Sequence, residues 1–132
     1  MEKVSEEVAR QEVEKWLDFK KVTAKKREAF ADGIQSLADY ICEGLLELDE
    51  DCVFKQKLLF PLGNSRQITE LSYQPRVQIK DLSLQNKGVS ATDQKARVSS
   101  IVSALTGVAK GITNTMDSED ADVAQAIALF FV

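Results

Sequence analysis

The sequence predicts an α+β fold: a small antiparallel β-hairpin with N-terminal helices before it and a C-terminal helical pair after it. Three observations carry this expectation. Val98, Ile101, Val102, Leu105, Val108, Ile112 and Met116 recur at the three-and-four spacing that lines one helix face. Phe30, Ile34, Leu37, Ile41, Leu45 and Leu48 repeat the pattern earlier in the chain. Between them, residues 53–60 are β-compatible and residues 67–73 alternate, with the turn-rich Pro61-Leu62-Gly63-Asn64-Ser65 separating the two runs.

At 132 residues the chain suits one domain, residues 1–132, with one modest core. Its expected parts are a helical N-terminal arm over 1–50, a hairpin region over 53–84 and the helical pair over 91–132. Charged residues make up 29% and hydrophobic ones 44%, a balance that excludes a disordered polyelectrolyte. The longest apolar run, VAQAIALFFV, falls short of the roughly 20 residues a spanning helix needs, so no membrane partner is expected. The start, MEKVSEEVARQEVEKW, is acidic where a secretory signal would be basic and then hydrophobic. Cys42 and Cys52 form no C-x-x-C pair and are expected to remain thiols.

The net charge of −4 conceals an uneven distribution. Residues 1–51 carry 8 basic and 14 acidic side chains, residues 52–100 carry 8 and 3, and residues 101–132 carry 1 and 4. This asymmetry fits self-complementary packing or a protein partner better than a nucleic-acid grip.

Residues 2–20 lack Gly and Pro and favour a helix by propensity. The apolar stripe there is thin, although Trp16 and Phe19 could anchor its end against a core. KKVTAKKR, residues 20–27, has five basic positions in eight. It reads as a solvated helix face or a charge cluster beside a turn, with a phosphate-binding patch as the sharper alternative. Residues 27–48 form the second amphipathic helix, with Gly33 and Gly44 as the places where it would break. LDEDC, residues 48–52, ends it in a turn.

The hairpin follows, and Pro75 stops its second strand. Residues 77–84 fit either a third short strand or a helical turn. Residues 85–92, QNKGVSAT, read as an exposed loop, with Ser90 and Asp93 as a capping-box-like start to the 98–116 helix. Gly107 and Gly111 lie four apart on that helix, a small-residue packing face. Asp117-Ser118-Glu119-Asp120 caps a last helix on which Ala124, Ile127, Ala128 and Phe131 resume the apolar pattern.

No histidine occurs, which removes the commonest metal ligand and general base. Nucleophile elbows, P-loops and dinucleotide fingerprints are absent too. Neither 49-DED-51 nor 117-DSEDAD-122 has the Gly and closing Glu of a calcium loop. The acidic pairs Asp49 with Asp51 and Asp117 with Asp120 sit in turn-like and cap-like settings. The expectation is a non-enzyme with no catalytic residue, metal or cofactor.

Four stretches in order resemble the tail assembly chaperones of contractile-tailed, Mu-like bacteriophages. They are 58-LLFPLG-63, then 68-ITELSY-73 with Pro75 and Asp81-Leu82, then 104-ALTGVAKG-111, then 116-MDSEDADVAQAIALFF-131. The resemblance covers residues 57–131. Pro75 and Asp81 are spaced more widely than in that family, and residues 1–50 have no counterpart in it. The resemblance implies a chaperone in the host cytoplasm that binds the tape-measure protein, keeps it soluble and leaves as the tail tube polymerises. It also allows a longer, frameshifted product. Two other classes are a structural tail or baseplate component, and a helical adaptor for protein or nucleic acid leaning on Lys20–Arg27. Large side chains at Ile127, Leu129, Phe130, Phe131 and Val132 surround the last helix on nearly all sides, which marks them as partner-binding residues. The two long apolar stripes further predict a homo-oligomer.

Overall fold

The computed structural model describes residues 4–85, 88 and 92–131. Among these, seven α-helices and a three-stranded antiparallel sheet of order β1-β2-β3 form the α+β architecture. Helix α1 spans Glu6–Lys20, with the Ser5 side chain accepting from the Val8 N–H at its start. Lys21 ends it in a left-handed conformation, its N–H returning to the Asp18 carbonyl. Ala9, Val13, Trp16 and Leu17 form its core face. Trp16 anchors as expected, but Phe19 stays 45% exposed and does not.

The single helix expected over 27–48 is instead three pieces. Helix α2 (Ala24–Ala29) breaks from α3 (Ala31–Cys42) at Phe30, and the chain then turns into strand β1 (Leu46–Leu48). Gly44, at φ 82°, makes that turn, because only glycine adopts this conformation without steric cost. Leu45 and Leu48 keep their inward direction while leaving the helix. Asp49 then closes the link to β2 (Phe54–Leu62), its carboxylate accepting from the N–H groups of Asp51 and Val53 at 2.8 and 2.9 Å. The acidic cluster is thus a strand connection.

Strand β2 pairs with β1 and with β3 (Ile68–Tyr73), which confirms the hairpin. Alternation puts Leu46, Gln56 and Leu71 in one inward row and Leu48, Phe54 and Tyr73 in the next. The outer face is polar, and Lys57 pairs with Glu70 across it at 2.9 Å. Between the pairs Lys57–Glu70 and Leu62–Ile68, residues 58–61 of β2 oppose Thr69 alone. Pro61 is tolerated in this bulge, where no ladder donor is needed.

Residues 79–85 resolve the open alternative as helix α4 (Ile79–Gln85). Helix α5 spans Gln94–Thr106, with the Asp93 carboxylate accepting from the Ala96 N–H; the Ser90 half of the expected cap lies outside the described residues. The stripe over 98–116 is interrupted, because Gly107 at φ 77° ends α5 and a short α6 (Lys110–Thr113) follows. Ser99 and Thr113 hydroxyls at 2.8 Å tie α6 back to α5. Helix α7 (Ser118–Ala128) begins at Asp117 as expected and passes into a 3-10 turn, Leu129–Phe131. It packs against α3, α5 and β2, while α1 covers α3. One apolar cluster runs from Ala9 to Phe130, so the N-terminal helices share the core of the rest. Among the described residues no helix is long and apolar enough to cross a membrane.

Candidate partner-binding surface

Of the five C-terminal residues expected to meet a partner, Ile127 and Phe130 are buried in the chain's own core, at 0% and 2% exposure. The expected surface is corrected at these two positions. Its physical reason is that α7 has neighbours on several sides, and the 3-10 turn re-aims the residues after Ala128. The Phe130 ring packs edge-on to Trp16 at 5.3 Å and to Phe30 at 5.5 Å. Leu129 and Phe131 keep partial exposure, and Val132 lies outside the described residues.

Phe131 is covered by Lys20, whose Nζ lies 3.6 Å from the ring centre and also donates to the Pro75 carbonyl at 3.1 Å. Burial, reinforced by the charges of Lys26 and Arg76, lowers the Lys20 ammonium to about 8. Lys26 donates to the Phe130 carbonyl at 3.1 Å, complementing the negative end of the terminal helix. Arg27 holds Glu14 and Asp18 at 3.0 Å each and the Val22 carbonyl at 2.9 Å. Three of the five cations in 20–27 therefore hold the N-terminal helices and the C-terminal turn together, a use that neither the solvated-face nor the phosphate-patch reading contains.

Asp120 went unrecognised in the sequence as anything but a cap. Its carboxylate, 1% exposed, accepts from the N–H groups of Leu59 and Phe60 at 2.9 and 3.0 Å. Gln56 donates to the Asp120 carbonyl at 2.9 Å and accepts from the Tyr73 hydroxyl at 2.6 Å. Burial, with the nearby Asp120 charge, drives the Tyr73 phenol well above its ordinary range. The network satisfies the bulge and turns Leu59 and Phe60 outward, each 53% exposed. A signal existed: position 120 is in phase with Val123, Ala124 and Ile127, so an acid stands on the apolar face.

An open groove of about 760 Å³ lies between α5 and α7, with α6 and Met116 contributing. Val98, Val102, Met116, Ala121 and Ala124 provide its apolar lining. Ser99 and Thr113 bring hydroxyls, and Asp93, Lys95 and Asp122 bring charge. Small alanines on α7 keep it open, and its size falls in the usual range of binding sites, roughly 300–1,000 Å³. Among the described residues no cluster of three or more His, Cys, Asp or Glu could hold a metal ion, and Cys42 and Cys52 are free thiols. Comparison with protein-family models, curated proteins and solved structures finds no match to this chain.

Proposed function

We propose that the chain is a non-catalytic chaperone that receives an apolar helix in the α5–α7 groove, acting in phage tail assembly on the tape-measure protein in the host cytoplasm. The groove carries this reading. It is lined by Met116, Ser118, Ala121, Asp122, Ala124 and Gln125, all within the 116–131 stretch on which the resemblance to tail assembly chaperones partly rests. A long helical client exposes apolar faces before assembly, and an open trough between two helices accepts such a face as a third. Its polar hydroxyls and mixed charges favour reversible capture over a permanent dry interface.

Co-expression with the tape-measure protein encoded beside this reading frame tests the proposal. The client is expected to be soluble with the wild-type chain and insoluble with Ala121→Arg, which fills the groove from a half-buried position on α7 with little loss of helix propensity. A locus with no large tape-measure gene next to it, or a client equally soluble with both proteins, would overturn it. Persistence of the chain in purified virions would instead favour a structural tail or baseplate component.

A further inference from the structure

We propose that α1 is a self-association surface on which a second copy of this chain lays its own α1 antiparallel, about a two-fold axis passing between residues 13 and 14. This inference is independent of the groove. Val4, Val8 and Phe19 are 37%, 43% and 45% exposed. Val4 precedes the helix; within α1, Val8, Glu12, Lys15 and Phe19 step by 4, 3 and 4 residues, one continuous stripe beside the core face of Ala9, Val13, Trp16 and Leu17.

Charge selects the occupant. Arg27 pairs with Glu14 and Asp18, and Arg10 bonds the Gln35 side chain. On the stripe itself the charged side chains are Glu12 in the first half of the helix and Lys15 in the second. Two such helices laid parallel would oppose like charges, whereas the antiparallel arrangement opposes unlike ones. About the stated axis Glu12 faces Lys15 of the second copy and Lys15 faces its Glu12. Val8 then meets Phe19. The surface is complementary to itself reversed, which is the requirement of an isologous two-fold interface. One helix face buries less than the roughly 1,600 Å² of a standard interface, so the dimer is weak, dissociating at about 100 µM.

Sedimentation equilibrium of the full chain across that concentration tests the proposal. The wild type is expected to shift from monomer to dimer. Glu12→Lys alone and Lys15→Glu alone are each expected to weaken the dimer about ten-fold or more. An equimolar mixture of the two variants, and the double variant, are expected to dimerise again, since each then opposes unlike charges across the axis. All these side chains lie outside the core, so circular dichroism should report unchanged helix content. A monomer throughout, a dimer indifferent to the single swaps, or a mixture that fails to recover would each overturn the proposal.

Discussion

Asp120 shows how one side chain joins two elements: its carboxylate takes up two strand N–H groups that the bulge leaves without ladder partners. Hydrogen bonds to a charged, buried acceptor are worth roughly 1.5–3 kcal/mol each. Asp120→Ala is therefore expected to lower the unfolding free energy by about 3 kcal/mol in urea titration, with the loss centred on residues 56–62 in amide exchange. Phe130 makes the opposite kind of contribution, apolar and enclosed by Trp16 and Phe30. Phe130→Ala should cost about 3–5 kcal/mol, clearly more than Phe131→Ala, and the same titration compares them. Lys20 adds a pH dependence. Its folded value near 8 lies below the unfolded 10.5, so the unfolded chain binds more protons between those limits. Stability should rise from pH 8 toward pH 10 and the rise should vanish in Lys20→Met. Above pH 10 the buried Tyr73, whose phenol is held neutral by the fold, reverses the trend. Melting temperatures of both proteins across this range check the sign.

At the scale of elements, legibility followed how local each cause is. The hairpin, its turn at Gly63 and the Asp117 cap were readable because strand alternation, turn residues and capping side chains act within a few positions. Strand β1 was not, since Leu45 and Leu48 continue the helical spacing set by Ile41 while Gly44 redirects the chain between them. The same ambiguity merged α5 and α6. Gly107 holds φ 77° with nothing within 4 Å of a built Cβ, so the cost of a side chain there is conformational and not steric. Gly107→Ala should destabilise by about 1 kcal/mol, read as a lower midpoint in chemical unfolding. The burial of Ile127 and Phe130 was beyond local reading, because it depends on α1, α2 and α3 arriving from more than 80 residues away. The groove was only partly legible: Val98, Val102, Met116 and Ala124 stand in the apolar stripes, but the opening between α5 and α7 depends on how the two helices are brought together.

Among the described residues the core closes on itself, while the α5–α7 groove, the stripe on α1 and the Leu59–Phe60 bulge are directed outward. The uneven charge distribution is partly consumed inside the chain, as Arg27 binds Glu14 and Asp18 and Lys55 approaches Asp49 at 4.0 Å. The long apolar faces once expected to drive oligomerisation are mostly spent on the core, at Leu37 and Ile41 as at Ile101, Val102 and Leu105. The proposed client site at the groove and the proposed self-association surface on α1 therefore lie on separate elements. Amide hydrogen exchange of the chain, free and in complex with the tape-measure protein, tests the central claim most directly. The account predicts that protection on binding is gained over Gln94–Thr106 and Ser118–Ala128, the two walls of the groove, with α1 unchanged. Protection confined to α1 or to the Leu59–Phe60 bulge, with both groove helices unaltered, would contradict it.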